Sequence, residues 1–195
     1  MDKQFILVAS PPASGKTYVS KLLSKSLKNV VYLDKDDLAP LLKRAFALNN
    51  EAFNMDGEFY KRLLRDVEYE TIMNIALSAL QFNECVILNA PLGKEVRDEA
   101  YMLSLKERVA KFGAKLILIW VSAPKELCFA RMKARGASRD ALKLQNWDEY
   151  VQNIRFDPPV ELQTQNAVDD LIIFDTTTDE SCNLSLIKTL KTLKK

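Results

Sequence analysis

Three clusters in this chain carry side chains suited to phosphate chemistry. Ser10-Pro11-Pro12-Ala13-Ser14-Gly15-Lys16-Thr17 follows a first apolar run, Asp34, Asp36 and Asp37 follow a second, and Arg131, Arg135 and Arg139 lie together near Gly136. A glycine lets backbone N–H groups approach an anion closely, and lysine and arginine bring positive charge to it. A threonine hydroxyl is a hard oxygen ligand for Mg²⁺. A carboxylate can take the proton of an attacking hydroxyl. Together these types point to a nucleoside triphosphate and to transfer of its terminal phosphoryl group.

The rest of the composition removes competing chemistries. The chain contains no histidine, which excludes Ser-His-Asp and Cys-His nucleophile systems and the usual zinc-ligand sets. Cys85, Cys128 and Cys182 are far apart and form no C-x-x-C pair, so they read as packing thiols in a reducing compartment, hence the cytoplasm. With 28 Lys and Arg against 26 Asp and Glu, the net charge of +2 gives no global field that would gather a polyanion. A nucleic-acid partner therefore stays possible only through a local site. The apolar run at residues 5–9 is closed by Pro11 and Pro12, too soon for a signal segment or a membrane span, so no membrane partner is expected.

Positioning such residues needs a scaffold, and the hydrophobic pattern supplies one. Short apolar runs at residues 4–9, 30–33, 85–88, 116–121 and 171–174 alternate with stretches of helical period, the signature of βαβ units around a parallel sheet. Val19, Leu22, Leu23 and Leu27 form one helical stripe. Leu63, Leu64, Val67, Ile72, Ile75, Ala76, Ala79 and Leu80 form a longer one. Further helices are predicted over 95–112, 125–135 and 182–194, and residues 48–57 and 136–165 read as insertions over the C-terminal edge of the sheet. A length of 195 residues suits one domain, 1–195, with a small insertion.

The first cluster fits the Walker A pattern in the required context of strand, tight loop and amphipathic helix. Fixed backbone dipoles at the helix start would hold the phosphates, Lys16 would bridge the β- and γ-phosphates, and Thr17 would ligate Mg²⁺. Two positions depart from the pattern: Ser10 replaces its first glycine, and Ala13 stands where glycine is common. Because Pro11 and Pro12 have no N–H, the cradle must come from Ala13, Ser14, Gly15, Lys16, Thr17 and Tyr18.

Among the carboxylates, Asp37 is expected to cap a helix, with Pro40 in its first turn and Leu38, Leu41, Leu42 and Ala45 on its apolar face. Asp36 is the candidate base, in a strand-end loop facing the ligand crevice of an open α/β sheet. At the end of the third run, the position where many phosphate-loop proteins carry an acid is Asn89, a neutral amide that cannot offset Mg²⁺ charge. Arg131 and Arg135, four apart, share a helix face, and Gly136 is a candidate hinge before Arg139.

Ser-Pro-Pro-Ala-Ser-Gly-Lys-Thr followed by Leu-Asp-Lys-Asp-Asp resembles the P-loop kinase group of polynucleotide 5′-kinases, zeta-toxin-type sugar kinases and chloramphenicol phosphotransferase. The resemblance implies a three-layer α/β/α sandwich with a five-stranded parallel sheet in the order 2-3-1-4-5 and a small helical lid at about residues 131–155. It also implies ATP and Mg²⁺, Asp36 as the residue that activates an acceptor hydroxyl, and Arg135 and Arg139, with Arg131, folding over the triphosphate. The implied activity is transfer to a hydroxyl of a small molecule or nucleic acid. Asn89 and the altered glycines leave open a nucleotide-binding switch or slow ATPase acting through a protein partner. Ser10 and Ala13 leave open a scaffold that binds no nucleotide.

Overall fold

The computed structural model describes residues 3–194. Five strands, β1 (Lys3–Ala9), β2 (Val30–Asp34), β3 (Cys85–Asn89), β4 (Ala114–Ser122) and β5 (Asp170–Asp175), form one parallel sheet in the order β2-β3-β1-β4-β5. The central strand β1 is covered on both sides, which is why Phe5 to Ala9 is a continuous apolar run rather than an alternating one. Phe5, Leu7 and Ala9 pack with residues of α3 (Arg65–Phe82) and α4 (Glu99–Ala110). Ile6 and Val8 pack on the other face with Val19 and Leu23 of α1 (Lys16–Ser26) and Cys182 and Leu193 of α9 (Asp179–Leu193). Each such fully buried side chain contributes roughly 1.5–3 kcal/mol, so the strand that launches the phosphate loop is among the most firmly held parts of the chain.

Helix boundaries follow local chemistry. Helix α9 begins at Asp179, earlier than its apolar stripe, because Thr178 and Ser181 form a reciprocal capping box. Helix α4 begins at Glu99 because the Asp98 side chain accepts from the Tyr101 amide at 3.0 Å, and a 3₁₀ turn, Glu95–Arg97, precedes it. Helix α5 (Lys125–Arg135) ends where Gly136 adopts the left-handed conformation, φ 60°.

Three expectations are corrected. Asp37 caps nothing: the chain leaves β2 through a 3₁₀ turn, Lys35–Leu38, capped by Asp34, and α2 (Ala39–Leu48) starts after it. In α2 the inward residues are Leu42 and Phe46, while Leu41 is exposed. In the long stripe, Ile72, Met73, Ala76, Leu77 and Leu80 face the core, whereas Leu63, Val67 and Ile75 are exposed. A π-helical turn, Tyr60–Leu64, precedes α3 and displaces Leu63 from the phase of a continuous helix, while Val67 and Ile75 lie on the outer side of α3 itself. The insertion 136–165 carries α6 (Ala141–Gln145), α7 (Trp147–Gln152) and α8 (Glu161–Thr164).

Candidate active site

The loop between β1 and α1 adopts left-handed geometry twice, at Ala13 (φ 63°) and Gly15 (φ 95°). At Gly15 the requirement is conformational rather than spatial, because an added Cβ would meet the Thr176 side chain only at 3.6 Å, an ordinary contact. The first-turn amides of Lys16, Thr17 and Tyr18 have no intrahelical acceptor, and α1 has no side-chain cap. Such donors, together with the helix dipole, suit an anion. Ser14 is buried and fixes the loop from below: its hydroxyl donates to the Pro11 carbonyl at 3.0 Å, and its own carbonyl accepts from the Thr176 hydroxyl at 2.7 Å. The Tyr18 side chain is exposed.

Around the loop, Asn89 is a junction. Its Oδ1 accepts from Lys16 Nζ at 3.0 Å, and its Nδ2 lies 2.6 Å from Asp34 Oδ2, 3.2 Å from Thr17 Oγ1 and 3.2 Å from the Tyr32 hydroxyl. Two N–H groups cannot serve three acceptors fully, and the shortest contact is with the carboxylate. Asp34 stands beside Asn89 in the β2–β3 register, so a negative charge occupies the strand end next to the neutral amide. Burial lowers the Lys16 pKa, and Asp34 and Asp36 pull it back only in part. Burial and the hydrogen bond to Asp34, 2.7 Å, raise that of Tyr32 and keep its phenol protonated.

Asp36 stands at the rim, about half exposed, with its Oδ1 3.5 Å from Lys35 Nζ and its Oδ2 3.2 Å from Arg139 Nη1. Burial opposes its ionised form, yet Lys35, the hydrogen bond from Arg139 and the charge of Lys16 outweigh burial and hold the carboxyl below the ordinary aspartate value.

The three arginines occupy three different environments. Arg131 reaches the loop's support, donating to the Thr176 hydroxyl at 3.1 Å and to its carbonyl at 2.6 Å. Arg135 is tied to the buried carboxylate of Asp140 at 2.7 Å. Arg139 spans the mouth of the site to Asp36, and four residues on Lys143 reaches Asp56 at 3.2 Å on the same far rim. Of the residues expected at the site, Lys16, Asp36 and Arg139 therefore lie near one another and Arg131 lies beside Gly15, while Arg135 is held by Asp140.

Sequence reasoning missed Tyr32, Lys35 and Glu68 as parts of this network. Lys35 lay in view between two aspartates, but its near-complete burial against Glu68, at 2.8 Å, leaves no periodic signal. A groove of about 500 Å³ between α3 and α4 is lined by Arg65, Tyr69, Lys94, Glu95, Asp98 and Tyr101, none of them a residue expected at the site.

The profile of the AAA domain family matches residues 6–159, from β1 through the stretch after α7. The chain belongs to that family. No curated protein matches this AAA domain in sequence. In fold it is similar to a candidate kinase from Chloroflexus aurantiacus, at 17% identity and a TM-score of 0.64 over 97% of this chain and 98% of the other. It is also similar to shikimate kinase from Acinetobacter baumannii, at 17% identity and a TM-score of 0.54 over 98% and 94% of the two chains. A chain of the PezAT toxin-antitoxin system of Streptococcus pneumoniae shares 14% identity with a TM-score of 0.61, over 90% of this chain and 69% of that one. This AAA domain thus has the P-loop kinase fold, the group resembled by its motifs. Among its described residues no helix is long and apolar enough to cross a membrane, and no cluster of three His, Cys, Asp or Glu side chains forms a metal cage.

Proposed function

We propose that the protein is a Mg²⁺-dependent phosphotransferase that moves the γ-phosphoryl group of ATP to a hydroxyl of a small molecule or nucleic acid. The observation that carries this is the facing of two sets of groups across one crevice: the unsatisfied α1 amides with Lys16 on one side, and Asp36 with Arg139 on the other. An anion-binding helix start alone would serve any nucleotide-binding protein. A carboxylate held ionised at the opposite rim is what a hydroxyl acceptor adds to the requirement.

In this reading Ala13, Ser14, Gly15, Lys16, Thr17 and Tyr18 cradle the phosphates by backbone N–H, and Lys16 exchanges Asn89 for the β- and γ-phosphates. Arg131, beside Thr176, fixes the nucleotide end of the loop. Arg139 exchanges Asp36 for the transferring phosphoryl oxygens, and that exchange frees Asp36 to accept the hydroxyl proton. Arg135 would follow only if Asp140 releases it, so its part in catalysis is the weaker of the two. The Thr17 hydroxyl, bordered by Asn89 and the negative charge of Asp34, suits a Mg²⁺ ion that keeps most of its waters. Bound there, the ion would neutralise phosphate charge. We read residues 1–195 as one domain whose lid, about 131–155, moves beyond Gly136, and the three free buried cysteines suit a reducing, cytoplasmic setting.

The test is a [γ-³²P]ATP transfer assay over a panel of sugars, nucleosides, 5′-hydroxyl oligonucleotides and hydroxylated antibiotics. The expected result is transfer to at least one acceptor class, lowered about 10²–10⁴-fold by Asp36→Asn. Full transfer by Asp36→Asn would remove Asp36 from the mechanism. Asn89 motivates a second reading, a nucleotide-dependent switch, and that reading gains if ATP binds but no acceptor stimulates its consumption.

A further inference from the structure

Behind the candidate base lies a buried ionic network that binding and transfer, as described, do not use. Lys35 is 3% exposed and Glu68 4%, and their charged ends meet at 2.8 Å. The second Glu68 oxygen accepts from the Tyr60 hydroxyl. Lys35 Nζ also lies 5.5 Å from the centroid of the Tyr69 ring and 3.5 Å from Asp36 Oδ1. Three elements therefore converge on this ion pair: the turn after β2 supplies Lys35, the first turns of α3 supply Glu68 and Tyr69, and the π turn supplies Tyr60, which bonds to Glu68.

Burying such a pair is a poor way to hold a fold together. The desolvation of both charges opposes their attraction, and apolar replacements of buried pairs are often neutral or stabilising. The neighbouring core of Leu42, Phe46 and Tyr60 could close over an apolar residue at position 35. What an apolar residue could not do is present a positive charge to one oxygen of Asp36 from the protein side while leaving the other oxygen facing the crevice. That other oxygen is the one that Arg139 now holds at 3.2 Å.

We propose that Lys35 is a positioning residue that fixes the plane of the Asp36 carboxylate, and that Glu68 and Tyr60 hold Lys35 for this purpose. Its catalytic meaning rests on the proposed role of Asp36 as base. When Arg139 turns to the phosphates, Lys35 remains, so the freed oxygen keeps its aim at the acceptor hydroxyl instead of rotating into solvent. Asp36 faces Lys35 from its own turn, Arg139 from the segment after α5 and Lys16 from α1, with the Asp34 carboxylate bonded to the Asp36 amide. Among these, Lys35 is the charge that no ligand displaces.

The experiment is a pH titration of the Asp36 side-chain carbon by NMR in the ligand-free chain, with the signal assigned by its loss in Asp36→Asn. Removing the pair together, as Lys35→Met with Glu68→Leu, should leave a folded protein whose Asp36 titrates at higher pH than in the wild type. If that variant does not fold, Lys35→Met with Glu68→Gln keeps an acceptor for Tyr60 and should give the same upward displacement. An unchanged titration in a folded pair variant overturns the control of Asp36 by Lys35, whatever Asp36 does in transfer. If the titration moves while Asp36→Asn retains full transfer, the base assignment fails instead, and with it the positioning role.

Discussion

The two rims of the crevice are built in opposite ways. The phosphate rim grows out of β1, whose side chains from Phe5 to Ala9 are fully buried, and its loop is pinned by buried Ser14 and by Thr176. The covering rim, from Gly136 to α7, reaches across the site through Arg139–Asp36 and Lys143–Asp56, ion pairs in which one or both partners are substantially exposed. Exposed pairs contribute about 0–1 kcal/mol each and weaken with salt. On the proposed reading, the groups that would meet the phosphates are held by core packing, whereas those that would change partners during transfer are held by contacts cheap to break.

Substitutions should separate the rims. The largest effect is expected for Lys16→Ala, which on the proposed reading would remove charged hydrogen bonds to two phosphates and should weaken Mg·ATP binding about 10²-fold or more, measured by calorimetry. Because Lys16 is desolvated in the ligand-free chain, the same change should leave thermal stability unaltered or raised. A large loss of stability would show that the Lys16–Asn89 bond is a structural one.

Arg139→Ala should lower transfer by about 10²–10³-fold, the usual cost of one donor to developing charge, while changing stability by no more than about 0.5 kcal/mol. Equal loss of ATP affinity and turnover would instead place Arg139 in ground-state binding. The smallest effect belongs to Ala13→Gly. Relief of a left-handed alanine, about 1 kcal/mol, is offset by a similar entropic cost of glycine in the unfolded chain, so Tm should move by less than about 3 °C. Nucleotide affinity should hold or rise, and a clear drop would mean that the Ala13 methyl itself makes a contact with the nucleotide.

Much of the phosphate rim was legible in the chain because its determinants are local. Strand, turn and helix follow one another within residues 3–26, and the glycine conformation, the free first-turn amides and the Lys16 position are consequences of neighbours in sequence. Helix α5 was expected over the residues it occupies, and each strand within about two residues at either end, since an apolar run between turn residues needs no distant partner to be recognised. The stripe before α3 loses its phase because a π turn at Tyr60–Leu64 rotates Leu63 relative to α3, whereas Val67 and Ile75 lie on the outer side of α3 itself, whose core face runs through Ile72, Met73, Ala76, Leu77 and Leu80. The cap after β2 fell to Asp34 rather than Asp37 because the 3₁₀ turn places the Asp36 amide against the nearer carboxylate.

By itself, then, the order of residues determined the sheet, the phosphate loop and the kinds of charge available, because propensity, period and motif spacing act over short stretches. Only tertiary structure decided who meets whom across 33 residues at Lys35 and Glu68, 73 at Lys16 and Asn89, and 103 at Asp36 and Arg139. Contacts between polar and charged side chains leave no periodic trace in a sequence. Their partners are set by how the packed layers bring strand ends and helix starts to one edge, and it is there that the candidate chemistry of this AAA domain is assembled.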